Sequence, residues 1–225
     1  MSDIFREVED DLRREQLKSL WNRIGPFVLV AAVLIVVGTG GWRAWEWYSL
    51  KQAQAEGDRF VAALQLAEGG KTDEAITALQ AVAADGKGGY PVLARFRIAS
   101  EHAAAGKTED AVAAFDAIAA SGETPAVIQP LARLRAALLL VDSIDLAAMK
   151  ARIEPLAATG APWRHSAREI LGLSAWRAGD YAAARGYFDE IAQDPEAPQM
   201  MRQRVALMQE LIRAKIGEAP APAAS

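Results

Sequence analysis

The chain has 225 residues, of which 52% are hydrophobic and 24% are charged, and its formal net charge at pH 7 is −4. It contains no cysteine, which excludes a disulfide framework and a thiolate metal site. The mild acidity also excludes the basic footprint expected of a nucleic-acid-binding protein.

The first 23 residues carry eleven ionisable side chains. Ile4, Phe5, Val8 and Leu12 recur at near-helical spacing, which suits a short amphipathic helix at anionic headgroups or a docking segment for a cytoplasmic partner. The alternative, which we favour, is a solvated tail that only sets membrane topology. Residues 1–23 are therefore predicted to be a charged cytoplasmic tail.

Residues 24–42 contain no ionisable side chain, and ten of these nineteen residues are Ile, Leu, Val or Phe. A helix of this length spans about 28 Å, close to the roughly 30 Å hydrocarbon core of a bilayer. A buried helix of a globular domain needs no such unbroken run. The bulky residues that follow do not resemble the small-residue cleavage site of a signal peptide. We predict an uncleaved transmembrane signal-anchor helix at 24–42.

Both ends of this segment carry residues typical of the membrane interface, where aromatic rings lie at headgroup depth. The predicted interface residues are Trp21, Arg23, Trp42, Arg43, Trp45, Trp47 and Tyr48. Five basic residues precede the segment and three follow it within a comparable distance, which favours a cytoplasmic N-terminus. In a bacterial inner membrane, the rest of the chain is then predicted to be periplasmic.

Beyond residue 43 the chain repeats with a period near 36 residues. The marker alanines Ala75, Ala111, Ala147 and Ala184 are 36, 36 and 37 residues apart. The residues four positions after them are Leu79, Phe115, Ala151 and Phe188. Such self-similarity is typical of helix-pair solenoids, in which each unit buries its apolar face against its neighbours.

Glycines precede three of the marker alanines by five residues, at Gly70, Gly106 and Gly179. Glycine readily adopts the left-handed conformation that ends a helix, so these positions are predicted to be helix-to-helix turns. Thr72 and Thr108 are predicted to cap the helices that follow. The Gly-Lys-Thr triplets lack the earlier glycine of a phosphate-binding loop, which favours the turn interpretation.

The segment 171–188 contains Leu-Gly, then Ala175, then Gly-Asp-Tyr, then Ala184 and Phe188, and it resembles the tetratricopeptide repeat. Residues 91–119 resemble a second unit, and residues 125–158 a degenerate third that lacks the inter-helix glycine. The resemblance implies an all-α fold, with a solenoid of helix pairs at 43–217 that ends in a capping helix. The Ala- and Pro-rich residues 218–225 are predicted to be a disordered tail.

Catalytic signatures are absent from the sequence, which has no nucleophile elbow, no H-E-x-x-H motif and only two histidines, in different repeats. We therefore predict no enzymatic activity, no cofactor and no small-molecule substrate. The aromatic residues of the repeats are predicted to pack in the core, with a ligand groove as the alternative. They are Tyr90, Phe96, Trp163, Trp176 and Tyr187.

Arginines recur near the start of the leading helix of each pair. The candidate partner-binding residues are Arg95, Arg97, Arg133, Arg135, Arg164 and Arg168, with Arg202 and Arg204 continuing the series. Stacking in register is predicted to align them in a basic ridge for acidic segments of partners. The alternative is a solvated arginine face whose stems cover apolar neighbours.

The whole plan resembles the YfgM-like ancillary subunits of the SecYEG translocon. The shared features are a short charged tail, one signal anchor that ends in Gly41-Trp42-Arg43-Ala44-Trp45, and a helical-repeat domain of about this length. The resemblance implies a non-catalytic periplasmic scaffold that associates with SecYEG and with a membrane-anchored chaperone. A tethered adaptor for envelope assembly or cell division is the alternative, and an enzyme acting on an envelope substrate is a distant third.

Overall fold

The computed structural model describes the backbone of residues 2–217 and the side chains of Lys18, Phe27, Leu29 and residues 32–217. Within these residues the protein is all α-helical and has no strand. The chain divides into two compact units, residues 1–55 and residues 56–225. The predicted tail at 218–225 lies outside the described residues.

The helices follow one another with short connections. They are α1 (Ser2–Glu68), α2 (Thr72–Asp85), α3 (Tyr90–Ala104), α4 (Thr108–Ala120), α5 (Gln129–Leu139), α6 (Leu146–Ile153), α7 (Arg164–Arg177), α8 (Tyr181–Ala192) and α9 (Gln199–Ile216), with a 3-10 turn (Glu154–Ala157) after α6. Both boundaries predicted near residues 23 and 42 therefore fall inside α1.

In the unit of residues 1–55, the apolar side chains that are described are solvent-exposed. The five consecutive residues 33–37 are between 51% and 69% exposed. Because successive helical residues are about 100° apart, these five side chains cover the whole circumference of the helix. This stretch of α1 is therefore apolar on every side.

A search of the described residues finds no helix with a stretch apolar and long enough to cross a membrane. Five side chains of the predicted span 24–42 lie outside the described residues: Ile24, Pro26, Val28, Val30 and Ala31.

In the unit of residues 56–217, four small cores succeed one another along the chain. Each core joins a leading helix, the trailing helix after it and the next leading helix. Helix α5, for example, places Ala136 in the core around Phe115 and Ala137 in the core around Met149. This arrangement confirms the predicted solenoid of helix pairs, because each pair is completed only by its neighbours.

The predicted glycine turns are confirmed. Gly70, Gly106 and Gly179 all have positive φ, at 77°, 72° and 77°. After each glycine the next residue donates its N–H to a carbonyl five positions back, as from Lys107 to His102 at 2.9 Å. The predicted threonine caps are wrong, since Lys71 and Lys107 occupy the cap positions and no side chain caps these helices.

The degenerate third repeat is shifted by two residues from its predicted register. Ala147 and Ala151 are exposed, whereas Met149 and Ile153 are fully buried. The shift follows from the connection, because no left-handed glycine stops α5 there. A longer turn leads instead to Asp145, whose Oδ1 accepts the Ala148 N–H at 2.7 Å and starts α6.

Helices α7 and α8 approach each other closely at Gly172. A Cβ atom added to this glycine would lie 2.8 Å from two ring atoms of Phe188. Phe188 is itself fully buried between α7 and α9. A glycine on α7 thus allows the large ring on α8 to fill the core.

Candidate functional site

Four of the six candidate arginines make ion pairs within the protein. Arg95 Nη2 lies 3.1 Å from Glu123 Oε2, and Arg97 Nε lies 2.6 Å from Glu101 Oε1. The Glu101 side chain is only 10% exposed. These two guanidinium groups of α3 are therefore already engaged by carboxylates of the repeats.

Arg164 and Arg168, at the start of α7, form ion pairs with the end of α8 and with the segment between α8 and α9. Arg164 Nε lies 2.7 Å from Asp194 Oδ2, and its Nη2 lies 2.5 Å from Glu196 Oε2. Arg168 Nε lies 2.8 Å from Glu190 Oε2. Both arginine side chains are about nine-tenths buried. We call this cluster the α7 latch, because it fixes one leading helix to the loop before the next.

Hydrogen bonds within the α7 latch stabilise the charged forms of both partners. The bond from Arg164, with a further bond from the Glu196 backbone N–H and the His165 side chain close by, holds the pKa of the Asp194 carboxyl well below its usual range. The same contacts to Asp194 and Glu196 raise the pKa of Arg164. The ion pair between Arg164 and Asp194 therefore stays charged at physiological pH.

Arg133 and Arg135 are the two candidates without an ion pair or hydrogen bond to the described residues. Both are exposed on α5, but they line different clefts. Side chains two positions apart on a helix point about 200° apart, which sends them to opposite sides. The structure thus does not join the six arginines in one ridge, and their role in partner binding stays a prediction.

Arg135 lines an open cleft of about 270 Å³ between the leading helices α5 and α7. We call it the α5–α7 cleft. Its lining residues are Leu131, Leu134, Arg135, Leu138, Trp163, Ser166, Glu169 and Ile170. Most of these side chains are apolar, and Leu138 remains 48% exposed. Trp163 both packs against the core around Met149 and lines this cleft, so the core and groove interpretations both apply to it.

The two charged residues that line the α5–α7 cleft, Arg135 and Glu169, do not form an ion pair with each other. Glu169 accepts two hydrogen bonds from Arg204 of α9, at 2.9 and 3.0 Å. Arg135 has no such partner in the described part of the chain. The cleft therefore offers an apolar surface with one available guanidinium group, which suits a peptide that carries an apolar side chain near a carboxylate.

Other arginines, which do not belong to the predicted partner-binding set, link residues about one period apart. Arg152 Nη2 lies 2.5 Å from Asp116 Oδ2, 36 residues earlier. Arg177 donates to the carbonyl oxygens of Asp142, at 2.8 Å, and Ile144. A search for opposite charges at the period of the apolar repeat would have found the first link. The bonds to carbonyl oxygens leave no such signal.

The predicted interface residues lie on α1. Trp42 and Trp45 are each 72% exposed, and Trp47 and Tyr48 are 63% and 59% exposed. Arg43 pairs locally with Glu46 at 3.1 Å. The side chains of the other two predicted interface residues, Trp21 and Arg23, lie outside the described residues.

Metal-binding geometry is not found among the described residues, where no group of three or more potential ligands could hold an ion. His165 lies 2.9 Å from Asp194 Oδ2 as part of the α7 latch, and His102 lies near the end of α3. The two histidines are therefore in separate structural contexts.

Comparison with known proteins identifies a family. Residues 18–217 match the tetratricopeptide repeat-like domain family, and this match covers most of the chain. No curated protein and no solved structure gives a significant match.

Proposed function

The chain belongs to the tetratricopeptide repeat-like domain family, and from this membership we propose that it is a non-catalytic scaffold that binds a protein partner at the α5–α7 cleft. The observation that carries the proposal is the combination of an apolar lining with the unpaired guanidinium group of Arg135. Tryptophan and arginine are also the residues most often found at the energetic centres of protein interfaces.

We further propose that α1 tethers this scaffold to a membrane. The support is the apolar circumference of residues 33–37, since exposed apolar surface of that extent marks a contact with lipid or with other apolar helices. The exposed rings of Trp42, Trp45 and Tyr48 suit the headgroup region. With its N-terminus in the cytoplasm, the scaffold would lie in the periplasm of a bacterial cell.

The specific partners that we propose are the SecYEG translocon and a membrane-anchored periplasmic chaperone. This step rests on the resemblance of the tail, the anchor exit and the repeat domain to the YfgM-like subunits. A tether supports such a role physically, because confinement to the bilayer raises the local concentration of the cleft near membrane partners.

In-cell photo-crosslinking tests the cleft directly. A photoreactive residue at Leu138, inside the cleft, should give discrete protein adducts that mass spectrometry identifies. The same residue at Val127, which is 70% exposed and does not line this cleft, is the matched control. The adducts from position 138 should weaken when Trp163→Ala is added. Equal adducts from both positions, or adducts indifferent to Trp163, would contradict the proposal.

Reporter fusions test the location separately. Alkaline phosphatase fused at the C-terminus should be active, because this enzyme matures only in the periplasm. Green fluorescent protein fused at the same position should not fluoresce. The reverse result would place the repeats in the cytoplasm and rule out the translocon role, while leaving the cleft proposal standing.

A further inference from the structure

A second cleft lies between the trailing helices α4 and α6, beside the exposed side of α5 that carries Arg133. It has a volume of about 390 Å³. Its lining residues are Asp116, Ala119, Ala120, Arg133, Ala151 and Arg152. We call it the α4–α6 cleft. It shares no lining residue with the α5–α7 cleft.

The hydrogen-bond donors of this cleft outnumber its acceptors. The Nε of Arg152 is buried and makes no hydrogen bond in the described part of the chain. Its Nη2 reaches Asp116 at 2.5 Å, so the guanidinium group is held in place by one nitrogen while another stays unsatisfied. Arg133, across the cleft, has no partner among the described residues. A buried donor without a partner costs free energy that a ligand acceptor would recover.

The charge of the lining selects the kind of acceptor. Two guanidinium groups face one carboxylate, which leaves one positive charge to be balanced. A monovalent carboxylate matches that charge, whereas a phosphate dianion would exceed it. The planar donor fork of arginine also fits a carboxylate in a bidentate manner.

The other lining residues indicate what kind of chain could carry the carboxylate into the cleft. Ala119, Ala120 and Ala151 are small, and the cleft is open to solvent, so an extended backbone can approach the floor closely. We propose that the α4–α6 cleft binds a Glu or Asp side chain of a partner segment, between Arg133 and Arg152. This inference rests on the proposed scaffold function, since it supplies a second contact point for a protein partner.

The test begins with a selection on the full chain in detergent micelles. Random 12-residue peptides displayed on phage should yield binders with Glu or Asp enriched at one position. A selected peptide and its Glu→Gln version are then measured by fluorescence anisotropy. The loss of the carboxylate should weaken binding to the native chain at least tenfold, as expected for a charge-assisted bidentate contact.

Two variants on the same helix provide the matched comparison. The affinities of Arg133→Gln for the Glu and Gln peptides should agree within twofold, because the guanidinium group that binds the carboxylate has been removed. Arg135→Gln makes the same change of charge on the other side of α5 and should keep the tenfold difference. Ala120→Leu, which fills the cleft without altering its charges, should also weaken the Glu peptide.

Each possible result decides between the two proposals. A carboxylate effect that disappears with Arg133→Gln alone supports the α4–α6 cleft. Selected binders whose affinity depends on Arg135 and Trp163, but not on Arg133, overturn this cleft and leave the scaffold proposal intact. Failure to select any peptide overturns both.

Discussion

Residues 32–50 of α1 and the repeats at 56–217 are both helical, but apolar side chains are exposed on the first and mostly buried in the second. Val36 is 69% exposed on α1, whereas Phe188 on α8 is fully buried. In the repeats each of the four cores is closed by the helix that follows it. The comparison shows that helix formation is common to both regions, while only the repeats contain their own apolar environment.

Charged residues differ between the regions in the same way. Arg43 pairs with Glu46 three residues away, which adds little beyond local helix stability. Arg152 and Arg164 instead pair with residues about one repeat away and fix neighbouring helices to each other. The described residues do not bury the apolar side chains of this α1 stretch, and we propose that a bilayer does so.

The largest expected effect tests this dependence. The double change Leu34→Lys and Val36→Lys puts two charges in the proposed span, at a cost of about 5–7 kcal/mol for insertion. Alkaline extraction of membranes should then release the protein, which otherwise stays in the pellet. Leu207→Lys with Leu211→Lys, at exposed positions of α9, is the control and should not release it. Release of both variants, or of neither, would remove the contrast between the two regions.

The next largest effect concerns the repeats. Phe188→Ala removes a fully buried ring and should lower the free energy of unfolding by about 3–5 kcal/mol. Urea unfolding followed by circular dichroism measures this change. Leu207→Ala, at a side chain that is 68% exposed, is the control and should shift the midpoint only slightly. Similar losses from both variants would show that the repeats are not held by the core that the structure indicates.

The α7 latch should give a smaller effect that depends on pH. Asp194→Asn removes the carboxylate that Arg164 and Arg168 share, while Glu196 and Glu190 remain, and should lower the unfolding midpoint at pH 7. Asp142→Asn is a matched control, because Asp142 accepts its bond from Arg177 through the backbone carbonyl.

The sign of the pH dependence follows from the lowered pKa of Asp194. Its stabilising contribution is complete above the unfolded value of about 3.9 and is lost as the pH falls through the lower folded value. The stability difference between the native chain and Asp194→Asn should therefore shrink below about pH 4. A difference that stays constant down to pH 2 would show that Asp194 is not the titrating group.

The sequence predicted the repeats because their main signals are short-range. Gly106 marks a turn through backbone conformation alone, and the spacing of Ala111 and Phe115 marks a buried face within one helix. The shift to Met149 and Ile153 could not be predicted in this way. It depends on the length of a turn without glycine, for which neighbouring helices set the final register.

The candidate site was less predictable than the fold. Arg133 and Arg135 were identified from their recurrence, but recurrence does not reveal which arginines already have partners. Arg164 is occupied because Asp194 and Glu196 lie in a loop that the fold brings beside it. Only the three-dimensional arrangement separates an available guanidinium group from one committed to the structure.

The smallest expected effect measures how much the exposed links between repeats contribute. Glu169→Gln removes the charge that receives two hydrogen bonds from Arg204, an arginine side chain that is 55% exposed. Although these bonds raise the pKa of Arg204, solvent screens the pair, so the loss should be less than about 1 kcal/mol and should fall further in 1 M salt.

Urea unfolding at low and high salt measures this loss beside that of Phe188→Ala. A small, salt-sensitive loss would show that burial supplies most of the stability of the repeats, with arginine links such as this one fixing the alignment of successive helices. A loss as large as that of Phe188→Ala would instead show that ion pairs stabilise the repeats as strongly as the buried core does. The contrast with α1 would then rest on charge as much as on apolar burial.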